Sequence, residues 1–157
     1  MPKLDDSRWQ ELRASQYWQH KRLTQMSDDE WEALCDGCGK CCLHKLIDDE
    51  TDELYYTDVA CKLLDTTTVR CSDYPNRHHT VPDCLVFSAE NIADLYWLPA
   101  SCAYKTLYDG RRLEKWHPLI SGDKQSVHRY KRSVTGRCTS EQNVPIDQLE
   151  EHLVRWV

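Results

Sequence analysis

Apolar positions in the first stretch of the chain recur at loosely helical spacing: Trp9, Leu12, Trp18 and Leu23 stand among charged and amide residues between Asp5 and Gln25. That pattern predicts one amphipathic helix or two short ones, with the tryptophans covering the core. A second helix start follows at Ser27, Asp28, Asp29 and Glu30. There a Ser hydroxyl and a Glu carboxylate three residues on can satisfy the exposed amides of a first turn. This helix runs through Trp31 and Leu34 and delivers Cys35 at its C-terminal end, where Gly37 and Gly39 permit the left-handed backbone of a tight loop.

Beyond the loop, the stretches 43–47 and 53–57 flank the acidic, turn-forming residues 48–52 and read as a β-hairpin. Asp48, Asp49, Glu50, Asp52 and Glu53 lack the interspersed Gly and regular alternation of a calcium loop, so they read as a solvated turn. A short β-rich stretch over 66–71 precedes an irregular, turn-rich segment to Cys84. Ser88 is placed to cap a helix through Leu95, and Pro99 to open another that ends at Gly110 with Cys102 in its first turn. The tail from Pro145 to Trp156 reads as a closing amphipathic helix. With no internal repeat and no low-complexity linker, the expectation is an α+β fold: a small single metal-stabilised domain over 1–157, with several short helices, a β-hairpin and a cysteine-rich loop. Residues 1–25 would form a peripheral helical arm.

Composition sharpens this picture. Hydrophobic residues make up 40% of the 157, the mean hydropathy is -0.72, and Phe occurs once, so six Trp and eight Tyr carry most of the bulky burial. A core that lean suits a domain folded partly around metal. The net charge of -6 argues against a nucleic-acid partner. The one basic stretch, His128 to Arg132, reads as a solvated face. No apolar run approaches the ~20 residues needed to cross a bilayer, which predicts no membrane partner. The polar, acidic residues 1–9 lack the apolar segment of a secretion signal, so the expectation is a cytoplasmic protein whose thiols stay reduced.

The chemistry lies in the cysteines. Four of the nine fall within eight residues: Cys35, Cys38 and Cys41 have C-x2-C-x2-C spacing, and Cys42 follows directly. Such spacing turns three thiolates toward one centre, as in iron-sulfur ferredoxin loops. The fourth cysteine and proline of the ferredoxin pattern are absent. Adjacent side chains in an extended stretch point to opposite sides, so one of Cys41 and Cys42 is expected to face a different partner. Cys61, Cys71, Cys84 and Cys102 are the candidates for the remaining ligands, and Cys138 is the isolated ninth. Eight sulfurs accommodate two four-thiolate zinc sites, a zinc pair with shared thiolates, or one cluster plus structural thiols, and spacing leaves these open. A buried Cys also packs as a small hydrophobe, which is the simpler account of Cys138. His44, His78, His79 and His117 are further candidates, each with an ordinary structural role as its alternative. No Gly-rich phosphate loop, H-E-x-x-H or G-x-S-x-G motif is present, so no catalytic residue is identified.

Taken together, residues 31–46, 52–61, 71–77, 82–84, 97–104 and 116–119 resemble the bacterial YcgN-like family, relatives of the YkgJ-type group of zinc- or iron-chelating CxxCxxCC proteins. The resemblance implies that Cys35, Cys38, Cys41, Cys42, Cys61, Cys71, Cys84 and Cys102 are the family's cysteine set, and it leaves Cys138 outside. The wider group is also similar to the cysteine-rich part of a flagellin lysine methylase, but this chain shows no separate domain for a methyl donor. The resulting expectation is a metal-binding protein that holds an iron-sulfur cluster or zinc. An iron-sulfur-dependent redox or protein-modifying enzyme, and a metal trafficking or buffering protein, are the alternatives.

Overall fold

A computed structural model describes residues 4–157; the first three residues of the expected arm lie outside them. Helix α1 (Asp6–Ser15) starts where the Asp5 side chain accepts from the Arg8 amide, and it buries Trp9 and Leu12. A left-handed residue, Gln16, ends it, and two single 3₁₀ turns at Tyr17–Gln19 and Leu23–Gln25 complete the segment. Trp9, Leu12, Tyr17 and Trp18 all belong to the larger of two hydrophobic cores.

Helix α2 (Asp28–Ala33) begins with the expected capping box: Ser27 Oγ accepts from the Glu30 amide at 3.3 Å, and Glu30 Oε2 accepts from the Ser27 amide at 2.9 Å. Carbonyls at its C-terminal end also accept from side chains of three other segments. Tyr17 Oη donates to the Glu30 carbonyl at 2.6 Å, Tyr104 Oη to the Trp31 carbonyl at 2.9 Å, and His117 Nε2 to the Leu34 carbonyl at 2.7 Å. The C-terminus of α2, and with it Cys35, is therefore fixed from three sides.

The hairpin forms as expected. Strand β1 (Leu43–Ile47) pairs antiparallel with β2 (Leu54–Ala60), with an irregularity between Leu43 and Lys45. Short strands β3 (Leu64–Asp65) and β4 (Arg70–Cys71) form a second, two-stranded sheet, and α3 (Arg77–Thr80) crosses the turn-rich segment.

Three expected helices change. Ser88 and Asn91 bond each other side chain to amide, and Asn91 Nδ2 also donates to the Val86 carbonyl, which leaves only a 3₁₀ turn at Ile92–Asp94. The helix expected from Pro99 starts at Ala103 instead. In α4 (Ala103–Tyr108) Cys102 is the N-cap residue, because Arg111 and Thr106 side chains claim the Ala100 carbonyl. Two four-residue helices follow, α5 (Pro118–Ser121) and α6 (Ser126–Arg129). The tail is not an α-helix: a 3₁₀ stretch over Ile146–His152 leads into a strand, and Ile146 remains 87% exposed. Strands β5 (Thr139–Ser140) and β6 (Leu153–Val154) both add to β2, parallel and antiparallel respectively.

The result is an α+β single domain with two cores. One gathers α1, α2 and α4 around Leu34, Tyr104 and Leu119; the other gathers Leu43, Ala60, Leu64, Val69 and Val134 beneath the sheets. Among the described residues no helix is long and apolar enough to cross a membrane. Gly39 sits against the smaller core, at φ 74°, and a Cβ there would fall 2.9 Å from Val134 Cγ2 and closer still to Val69 Cγ1. Gly37 has a similar φ of 79° with open space around it. Gly37→Ala is therefore expected to cost roughly 1 kcal/mol, the left-handed penalty alone. Gly39→Ala adds overpacking and should cost about 3 kcal/mol or more. Urea unfolding of the two variants checks the difference.

Candidate metal centre

The cysteine loop leaves α2 at Leu34 and turns at Asp36, whose buried carboxylate accepts from the Cys38 amide at 2.9 Å. It ends in a 3₁₀ turn, Lys40–Cys42, that feeds β1. On such a turn successive side chains point about 120° apart, and the two adjacent cysteines separate accordingly. Cys41 packs against the larger core, together with Cys35 and Cys102, while Cys42 packs against the smaller. The two thiols still touch at the boundary, and that contact is the largest cause raising the pKa of Cys41.

Mutual electrostatic influence sorts the other thiols into the same two neighbourhoods. Cys35 feels Cys41 and Cys102; Cys38 feels Cys41 and Cys35; Cys102 feels Cys41. Cys61 feels Cys84 and Cys71. Cys42 joins this second set through the backbone, where the Cys61 amide donates to its carbonyl at 2.9 Å. Cys71 is carried there by β4, which pairs with β3 just after Cys61. These neighbourhoods group Cys35, Cys38, Cys41 and Cys102 as one set and Cys61, Cys71 and Cys84 as another; Cys42, in contact with Cys41 through its thiol, is tied to the second set by its backbone and by its packing on the smaller core. Cys138 packs on the smaller core and feels Asp58 rather than another thiol.

All nine cysteines are partly exposed as residues and none is in a disulfide. Burial nevertheless pushes up the thiols of Cys35 and Cys38 and brings Cys102 to about 11. Backbone amides oppose the trend. The N–H groups of Gly37, Lys40 and Leu63 favour the thiolates of Cys35, Cys38 and Cys61, each two residues on, and those of Lys105 and Tyr104 at the start of α4 do so for Cys102. Among the described residues no three Cys, His, Asp or Glu side chains stand in an arrangement that would hold a metal ion as they are. A cleft of about 830 Å³ runs past both sets and is lined by Cys35 and Cys41 of the first and by all four of the second.

The histidines divide differently. His44 lies on the cleft wall with Nε2 2.9 Å from Glu141 Oε2. His78 and His79 lie on α3. His117 is buried as the N-cap of α5, where Nδ1 accepts from the Leu119 amide at 3.0 Å, so the proton sits on Nε2 and is donated to Leu34. Motif reading passed over two lysines. Lys40 is 5% exposed and donates to Ser101 Oγ, beside Cys102. Lys45 donates to the carbonyls of Cys41 and Leu43 and lies over the rings of Trp97 and Tyr56. The available signal for Lys45 was its place between Leu43 and Ile47 in an alternating strand, a position otherwise given to apolar side chains.

This combination of a small α+β frame and clustered soft donors defines a cysteine-rich metal-chelating protein. Residues 34–103 match the CxxCxxCC family model, described as "Putative zinc- or iron-chelating domain". The chain is 51% identical over 140 residues to a UPF0260 protein of Allorhizobium ampelinum, covering 89% of this chain and 88% of that protein. It is 52% identical over 140 residues to one of Shewanella oneidensis (89% and 94%), and 49% identical over 141 residues to one of Marinobacter nauticus (90% and 95%). The chain belongs to this bacterial UPF0260 family. No solved structure matches it.

The buried His117 also makes the loop's support sensitive to acid. Burial lowers its pKa from the ordinary 6.5, so the folded form holds the neutral ring. Its contribution is therefore complete above about pH 6.5 and is lost as pH falls through the folded value. Replacing His117 by Asn should cost about 1–3 kcal/mol at pH 7.5, from the unsatisfied Leu34 carbonyl. Urea midpoints at pH 7.5 and 5.5 should fall less between the two conditions in H117N than in the wild type.

Proposed function

We propose that this protein is a cytoplasmic metal-binding protein carrying two four-cysteine centres. Cys35, Cys38, Cys41 and Cys102 would hold one, and Cys42, Cys61, Cys71 and Cys84 the other, each taking zinc or iron, the iron as an iron-sulfur cluster. What carries this reading is the sorting of eight thiols into two sets of four, the number a tetrahedral thiolate site or a cluster needs. The donor set fits either metal, because thiolate suits both. Zinc would contribute folding energy at a closed site, whereas a cluster would add electron transfer. The backbone amides beside Cys35, Cys38, Cys61 and Cys102 support thiolate in an otherwise buried setting. A reducing compartment suits nine unpaired thiols.

A second reading, an enzyme that uses a cluster for redox or protein-modifying chemistry, is favoured by the cleft of about 830 Å³ that passes both sets. A closed structural site needs no such opening, and a substrate could reach the centres through it.

Metal analysis with an optical spectrum, on protein purified without oxygen, tests both. Iron and acid-labile sulfide with a visible absorption bleached by dithionite are expected for clusters; a colourless sample with stoichiometric zinc is expected for structural sites. Protein with neither metal and with all its thiols freely titratable would refute the reading. If the two sets are separate centres, C35S/C38S and C71S/C84S should each retain about half the metal, since each leaves one four-thiolate set intact. Loss of all metal from both variants would point to a single shared centre.

A further inference from the structure

An ammonium group buried without a carboxylate is costly unless another anion compensates it. Two lysines in the cysteine loop and the strand after it are in this position. The Lys45 side chain lies half-buried, with Nζ 3.1 Å from the Cys41 carbonyl oxygen and 2.8 Å from that of Leu43. It also sits 4.6 Å from the centre of the Trp97 ring and 5.1 Å from that of Tyr56. Lys40 is buried more deeply and reaches only Ser101 Oγ, at 3.2 Å. Among the described residues no Asp or Glu forms an ion pair with either. The one buried carboxylate of the loop, Asp36, is engaged with the Cys38 amide.

Carbonyl oxygens and aromatic faces solvate a cation only in part. The groups near enough to favour the charged form of Lys45 against burial are Cys41 and Cys42, which carry negative charge when they ligate as thiolates. The reverse also holds, since the Lys45 charge favours the Cys41 thiolate. Cys41 and Cys42 belong to different sets, so a single ammonium stands at the junction of both.

We infer that Lys45 is the counter-charge of the loaded centres: an ammonium placed over the Cys41–Cys42 junction to stabilise four-thiolate sites whose net charge is negative with a divalent metal bound. This rests on the two-centre reading above and adds to it a residue that is not a ligand. Lys45 would act through charge rather than coordination, tightening metal retention and, in an iron-sulfur protein, raising the reduction potential by favouring the more negative, reduced state. Lys40, one residue before Cys41 and beside Ser101, reinforces the same field.

The test compares Lys45→Gln, which removes the charge, with Lys45→Arg, which keeps it, and Lys45→Met, which keeps the stem against Trp97 and Tyr56. The full chain, reconstituted with Zn2+ alone, is titrated with a competing chelator, and circular dichroism of each loaded variant reports its fold. K45Q and K45M are expected to hold zinc about tenfold more weakly than the wild type, since one nearby charge acts on the bound state alone, while K45R stays within about twofold. Equal affinity in K45Q and the wild type would overturn the inference. So would an equal loss in K45R, or unfolding of K45Q and K45M with K45R folded but no tighter than either, because the side chain would then matter for shape rather than charge. Wild-type protein that takes up no Zn2+ and carries no iron would instead remove the two-centre reading itself, and with it this inference.

Discussion

The peptide bond between Cys41 and Cys42 ties the two halves of the molecule together. On one side of it Cys41 packs into the core built by α1, α2 and α4; on the other Cys42 packs under the hairpin and the β3–β4 sheet. A 3₁₀ turn makes this possible, because it swings neighbouring side chains apart while keeping their backbones in register with β1. The approach is equally constrained. Three side chains from distant segments hold the end of α2, and Gly39 lets Val69 and Val134 close to within contact of the backbone. The two cores have little freedom to shift against each other without moving a cysteine.

The geometry also imposes an electrostatic conflict. Thiols drawn into a core resist ionisation, and Asp36 beside them adds a further negative charge. The chain answers with backbone amides and with the ammonium groups of Lys40 and Lys45 rather than with exposed ion pairs. Backbone amides add no formal charge and hold their direction without a flexible side chain, so they suit a site whose occupant brings its own charge. The arrangement is poorly adapted to a bare protein core and well adapted to one that holds an anionic group.

What the sequence made legible was local. The capping box at Ser27 and Glu30, the hairpin around an acidic turn and the glycines of the cysteine loop each carry their own signal within a few residues, and each formed where expected. The tight run of four cysteines was legible as well, as was the separation of Cys138 from the other thiols. The neighbourhood that Cys102 shares with Cys35 and Cys41 was not, because it arises only through the packing of α4 on α2, which no spacing encodes. The tail shows the same limit. Residues 146–152 have helical periodicity, but the edge of β2 at Tyr56 and Thr57 offered Leu153 and Val154 a ladder, and pairing there outweighed a helix that would have left Ile146 in solvent anyway. Lys45 escaped notice because a single charged residue in a strand ordinarily faces water.

The late arrival of β5 and β6 has a bearing on how the protein is made. Eight of the nine cysteines have been synthesised by residue 102, whereas two of the strands that pair with β2 come from residues 139–154. During translation the thiols are therefore assembled before the sheet beside them is sealed. The fold of the cysteine loop therefore cannot lean on those strands while they are still being synthesised.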